Sequence, residues 1–185
     1  MNRLMKTLFA AVLATLAIMA IMASLAAPAH AQQGRGPATS EEQERVVQLA
    51  AAADKDPLGT MASADGRWFE KWADEVPDYM FGPDNGVFWV MTKAAKGELK
   101  RVVRFQHTVS TAAFQIRHHM LDPKKDPAQM EAKTLAGVEG LLRAYASLLA
   151  KNPDNRSAKL DEAIAIRDKG GLAAFVKALP PMPER

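Results

Sequence analysis

Apolar residues recur every three or four positions along two long neighbouring stretches of this chain. Such spacing puts them on one face of an α-helix, so each stretch predicts an amphipathic helix. The first extends from about residue 87 to Leu121, and the second opens with the N-cap residue Asp126 and the first-turn proline Pro127. Because only residues 122–125 join them, the two helices are expected to lie roughly antiparallel with facing stripes. The stripes consist of Met91, Ala95, Leu99, Val102, Val109, Ala113, Ile116 and Met120, and of Leu135, Val138, Leu142, Tyr145 and Leu149.

Helical signals cover most of the remaining chain. Ser40 is followed three positions later by Gln43, which is a capping-box pattern, and it opens a helix to about Asp54. Further helices are predicted at residues 67–79, 157–169 and 172–179. The one strand-like stretch, residues 87–91, has no partner strand and is assigned to the first long helix. The sequence therefore predicts an all-α helical bundle of about five to six helices, with two long antiparallel central helices, in a single domain over residues 40–185.

The first 31 residues have the three parts of a secretory signal peptide. Arg3 and Lys6 supply a basic start, residues 8–27 an apolar core, and small residues a cleavage site that ends at Ala31. Cleavage there predicts a periplasmic or secreted protein that begins with a flexible leader, residues 32–39, and meets a membrane only through the signal before cleavage. The apolar core is also long enough to span a bilayer, so an uncleaved anchor is the alternative.

The chain contains no cysteine. Disulfides and thiol-linked lipid anchors are therefore excluded, and stability must come from packing alone. After cleavage 154 residues would remain, which is enough for one domain with a sizeable core.

Charge is distributed unevenly along the chain. Residues 41–84 hold 11 acidic and four basic residues, a net charge of −7, whereas residues 93–125 hold eight basic and two acidic residues, a net charge of +6. One interpretation is that the two segments neutralise each other in the fold or are solvated. The other is an anion-binding site on the basic stretch, formed by Lys96, Lys100, Arg101 and Arg104.

All three tryptophans and four other aromatic residues fall between positions 68 and 89. Such a cluster predicts either an apolar plug at one end of the bundle or a pocket or surface for a ligand or partner. Under the second hypothesis the binding residues are Trp68, Trp72, Tyr79, Phe81 and Trp89.

Three histidines follow the predicted signal, and His107 and His118 are candidate metal ligands. On one continuous helix these two share a face, but the helical rise separates them by about 16 Å, so they cannot bind the same ion. His118 and His119 are adjacent and point about 100° apart. A metal site would therefore need ligands from another helix; the alternative pairs His118 with Asp122 and leaves His119 in solvent.

The segment after the signal has no nucleophile elbow, Ser-x-x-Lys motif or phosphate-binding glycine loop. The favoured function is an exported, periplasmic, non-catalytic helical binding or interaction protein of the cell envelope, which holds an envelope protein or an apolar or anionic ligand. The alternatives are a metal- or cofactor-binding bundle that uses His107 or His118, and an enzyme with a site in residues 68–89. The sequence indicates no particular cofactor, and the export signal and the absence of a binding motif disfavour nucleic acid. The long amphipathic helices are compatible with a homodimer.

Overall fold

A computed structural model describes residues 35–81, 84–120, 122 and 125–183. Every regular element within these residues is a helix, so the all-α class is confirmed. The described residues form eight α-helices, which exceeds the predicted five to six. They are α1 (Ser40–Lys55), α2 (Pro57–Ala62), α3 (Ala64–Glu75), α4 (Asn85–Trp89), α5 (Gly97–Arg117), α6 (Pro127–Lys151), α7 (Ala158–Asp168) and α8 (Leu172–Lys177). A π-helical turn, Val90–Ala94, follows α4, and a 3₁₀ turn, Pro153–Asn155, follows α6.

The predicted signal peptide, residues 1–31, lies outside the described residues. Within the described ranges, no helix combines the length and the apolar character needed to cross a membrane.

Helix α1 is capped one residue earlier than predicted. The Thr39 hydroxyl accepts a hydrogen bond from the Glu42 amide at 3.2 Å, and the Glu42 carboxylate accepts one from the Thr39 amide at 3.0 Å. Thr39 and Ser40 both carry a capping hydroxyl, but only Thr39 has an acidic residue three positions later. A carboxylate at the positive end of the helix dipole favours this register over the one that uses Gln43.

The first long helix predicted from the sequence is interrupted before Gly97. Ala95 and Lys96 have extended backbone, and Gly97 then opens α5 with a φ of +55°, a left-handed conformation that favours glycine. The predicted stripe is thus divided between α4 with its π-helical turn and α5. Helix α3 also differs, since it starts at the cap residue Ser63 and ends before Pro77, which disfavours helical backbone at the residue preceding it.

Two apolar cores flank α5, which packs most extensively on α6. The first core joins α4, α6, α7 and α8, and the second joins α1, α3 and the segment after α3. Because α5 contributes Val103 to the first core and Phe105 and Val109 to the second, it lies between them. Large members of the first core are Trp89, Leu141, Leu142, Tyr145 and Leu160, and those of the second are Leu49, Phe69, Trp72, Tyr79 and Ile116.

Candidate functional site

Three ionisable side chains are buried together where α5, α6 and the residue before α4 meet. Asp84 is 6% exposed, and His107 and Lys133 are fully buried. His107 Nε2 lies 3.4 Å from Asp84 Oδ1, and Lys133 Nζ lies 3.6 Å from Asp84 Oδ2. We call this group the buried polar centre. Burial of a charged group costs free energy unless a group of opposite charge lies beside it. Here the Asp84 carboxylate lies beside both His107 and Lys133, which can carry positive charge.

Asp84 is held in place by the helix that follows it. It is the N-cap of α4, and its Oδ1 accepts a hydrogen bond from the Val87 amide at 2.9 Å. Burial alone would raise the pKa of this carboxyl group. The charge and contact of His107, the Val87 amide and the charge of Lys133 oppose that effect and hold the pKa of Asp84 well below its usual range. The carboxyl group is therefore ionised at neutral pH.

Two glycines allow the His107 ring to fit between helices. A Cβ atom on Gly137 of α6 would lie 2.6 Å from His107 Nε2 and 2.5 Å from the Thr111 hydroxyl oxygen. One on Gly86 of α4 would lie 2.9 Å from the same ring nitrogen. These positions can hold only glycine without displacement of the histidine.

The segment after α3 is attached to the same region through backbone hydrogen bonds. The Gln115 side chain accepts one from the Met80 amide at 3.2 Å and donates one to the Met80 carbonyl at 3.0 Å. Lys133 Nζ donates to that carbonyl at 3.4 Å. Met80 is thereby joined to α5 and α6 shortly before the chain reaches Asp84.

A second feature is an open groove of about 600 Å³ between α3 and α5, which we call the mixed-charge groove. Its apolar lining comes from Met61, Phe69, Ala73 and Phe105, and its polar lining from Glu70, Asp74, Lys100, Arg101, Arg104 and Thr108. Three of the four residues predicted to bind anions therefore line one opening. The fourth, Lys96, lines a different depression of about 500 Å³ with Lys93, Arg156 and Lys159.

The acidic and basic segments come close at this groove. Glu70 and Asp74 of α3 line it together with the cations of α5, but none of those cations forms an ion pair with α3 within the described ranges. Arg101 contacts Glu98 of its own helix at 3.7 Å, whereas Lys100 and Arg104 have no ion pair with any residue that the structure describes.

The predicted aromatic binding residues are dispersed. Trp72, which is 2% exposed, and Tyr79 are buried in the second core, and the half-buried Phe81 packs against them. Trp89 is buried in the first core against Phe175. Only Trp68 combines partial exposure with a charged neighbour, since the Arg45 guanidinium lies 3.9 Å from its ring centroid. In this arrangement most of the cluster packs the interior.

The candidate metal ligands also lie apart. His107 is in the buried polar centre, whereas His118 is exposed at the end of α5 with its ring centroid 4.2 Å from that of Phe114. Asp122, the residue expected beside His118, forms an ion pair with Lys125 at 2.7 Å. Across the described part of the chain, no three histidine, aspartate or glutamate side chains are grouped so that they could hold a metal ion.

Asp84 and Lys133 were not among the predicted site residues. One signal for Lys133 is present in the sequence, because Lys133, Gly137, Gly140 and Ala144 recur at three- and four-residue spacing and so share a face of α6. Small residues on one face indicate a close helix approach, and a lysine on that face must then be buried. Asp84 has no comparable signal, since Pro-Asp-Asn-Gly is an ordinary turn sequence.

The two features differ in what they can do chemically. The buried polar centre can fix the positions of helices and hold a proton or a hydrogen-bond donor, and the groove offers exposed charged side chains and a partly apolar lining to solvent. Comparison with known proteins finds no protein-family model, no curated protein and no solved structure that matches this chain.

Proposed function

We propose that this chain is an exported, non-catalytic binding protein of the cell envelope, and that the mixed-charge groove holds an acidic, partly apolar peptide segment of a partner protein. The observation that carries the proposal is the placement of Lys100, Arg101 and Arg104 along an opening with Phe69 and Phe105 in its lining.

The basic wall supports an acidic occupant. Lys100 and Arg104 are one helical turn apart, about 6 Å along the axis of α5, and neither is neutralised by a described residue. Carboxylates spaced along a peptide could contact both, and an arginine can bind a carboxylate through two parallel hydrogen bonds. The opposite wall, with Glu70 and Asp74, would repel an acidic group placed there and so fix the orientation of the occupant.

The apolar lining and the dimensions support a peptide with an aromatic or aliphatic anchor. Phe69 and Phe105, which are almost fully buried, pack edge to face with ring centroids 5.8 Å apart and form a rigid base. The partly exposed Met61 and Ala73 complete the apolar lining that an apolar side chain would contact. The groove extends along α5 from Lys100 to Thr108, about 12 Å. That length fits about four extended residues or two helical turns.

We also infer that α5 and α6 run antiparallel, as their sequence spacing predicts. Gly137 near the middle of α6 approaches Thr111, whereas Leu148 further along α6 lines the same depression as Val102 earlier in α5. A later position on α6 therefore lies beside an earlier position on α5, and this supports an antiparallel orientation.

Fluorescence anisotropy with synthetic peptides tests the groove. The full-length protein is expressed and purified in the form that the cells accumulate, and is titrated with a labelled octapeptide of alternating Glu and Phe and with the same peptide carrying Lys in place of Glu. We expect saturable binding of the acidic peptide only. The double variant Lys100→Glu/Arg104→Glu should abolish it, because both contacts become repulsive.

A control variant separates local contact from net charge. Lys55→Glu/Lys169→Glu changes the net charge by the same amount at two exposed positions outside the groove. Equal binding of both peptides, or equal loss in both double variants, would contradict the groove proposal. The intact mass of the purified protein tests export separately, since cleavage after Ala31 predicts a chain that begins at Gln32.

A further inference from the structure

We infer that a cleft beside the buried polar centre is a second binding site, for a small neutral molecule that carries a hydroxyl or amide donor on an apolar body. The cleft has a volume of about 410 Å³, which lies within the range of small-molecule pockets. It is bordered by the start of α4, the first turns of α6, and α8 with the segment that follows it. Its lining includes Asp84, Pro127, Met130, Thr134, Val176 and Met182.

Asp84 supplies the polar contact in this site. Its Oδ1 accepts a hydrogen bond from the Val87 amide, but its buried Oδ2 accepts none from any residue that the structure describes. Lys133 Nζ, at 3.6 Å from Oδ2, provides charge attraction from beyond hydrogen-bond distance. Oδ2 is closed off from solvent, so a ligand O–H or N–H would reach it when the side chains that line the cleft move aside. Buried acceptors are rarely left unsatisfied.

The charges around the cleft determine the class of ligand. The Asp84 carboxylate already faces Lys133 and His107, so an ammonium group would be a further cation beside them. A carboxylate ligand would be repelled by Asp84 and by Glu131 at the rim, which pairs with Lys177 at 3.5 Å. A neutral donor avoids both penalties.

The rest of the lining suits an apolar body. Met130 and Met182 are half-buried, and Pro127 and Val176 complete an apolar wall. Methionine side chains are flexible and polarizable, so they can adapt to ligands of different shape. The Thr134 hydroxyl donates to the Met130 carbonyl at 3.0 Å, and its oxygen can still accept a hydrogen bond from the ligand.

NMR of the full-length protein labelled at its methionine methyl groups tests the site, with 1-hexanol, hexylammonium and hexanoate as probes. We expect 1-hexanol to shift the Met130 and Met182 resonances saturably and to leave Met61, in the mixed-charge groove, unchanged. Both charged probes should bind at least about tenfold more weakly, because each places an uncompensated charge beside buried ones. Equal affinity for all three probes, or equal shifts at Met61, would overturn the inference.

A pair of matched variants isolates the cleft. Met130→Trp places a large ring in the cleft and should remove the response of Met182 to 1-hexanol. Met61→Trp makes the same change at another half-buried methionine and should leave that response intact. An unchanged Met182 response in Met130→Trp would refute the assignment. Because the peptide titrations report only on the groove, either proposal can fail without the other.

Discussion

Removal of the negative charge from Asp84 is expected to be among the most damaging single changes in this protein. The variant Asp84→Asn keeps a side-chain oxygen that can cap α4 through the Val87 amide. It removes the negative charge that lies 3.6 Å from the fully buried Lys133 ammonium. Loss of one partner from a buried ion pair costs about 3–5 kcal/mol in the free energy of unfolding. A domain at the lower end of ordinary stability, about 5 kcal/mol, would then be close to unfolding.

The reasoning is tested by a double-mutant cycle with Lys133→Met. Each single variant removes one side of this ion pair and keeps the other charge buried, but the double variant Asp84→Asn/Lys133→Met removes both charges and keeps a side chain of similar length in the gap. We therefore expect the double variant to be more stable than either single variant, with a coupling energy of about 3 kcal/mol. Urea denaturation monitored by circular dichroism at neutral pH gives the free energy of unfolding of the wild type, the two single variants and the double variant. If the loss of unfolding free energy in the double variant equals the sum of the losses in the two single variants, the ion pair does not stabilise this centre.

The pH dependence of the same variant has a defined sign. The pKa of Asp84 is lower in the folded protein than its unfolded value, so its ionisation stabilises the fold above the unfolded pKa and loses that contribution as the pH falls. The difference in stability between wild type and Asp84→Asn should shrink as the pH falls below about 4. Denaturation series at several pH values measure this, and a difference that grows on acidification would contradict the assigned shift.

Two further changes test the packing around the site. Gly137→Ala should lower the free energy of unfolding by about 1–3 kcal/mol in urea denaturation, because its methyl group would overlap His107. The control Gly36→Ala, which has no atom within 4 Å of the new Cβ, should change it little. Trp72→Ala removes a buried aromatic side chain and should lower the free energy of unfolding by about 3–5 kcal/mol, whereas Trp68→Ala removes a half-buried one and should lower it clearly less. Thermal unfolding compares the two variants, and equal losses of stability would contradict the difference in burial.

The class of fold could be predicted because it depends on periodicity and capping, which are local. The apolar spacing after Pro127 identified α6 almost to its ends, and the capping-box pattern of Ser40 and Gln43 located the N-cap of α1 to within one residue. Gly97 marks a possible break in the first long helix, but the sequence does not decide whether the helix breaks there. Glycine permits either a helical or a left-handed backbone, and the choice depends on what the neighbouring segment packs against.

The buried polar centre could not be predicted, because its parts are distant in sequence. Asp84 looks like a turn residue, and Lys133 is one of many lysines on helices that usually extend into solvent. Their pairing depends on how closely α5 and α6 approach, which the glycines at 137 and 140 permit. His107 was identified as notable by residue type, but the metal chemistry proposed for it depended on neighbours that sequence does not specify.

The polar centre and the groove use adjacent turns of α5, and this suggests why a costly buried ion pair is present. Lys100 and Arg104 face the groove, and His107 lies one turn further on, between Gly86 and Gly137. An apolar contact would let α5 rotate or slide with modest loss, whereas the contacts of His107 with Asp84 and of Gln115 with Met80 fit one rotation only. A change of a single residue in register turns a helix by about 100° and would move both cations out of the groove. We therefore infer that the buried polar centre fixes the rotation of α5, and with it the basic wall on which binding depends.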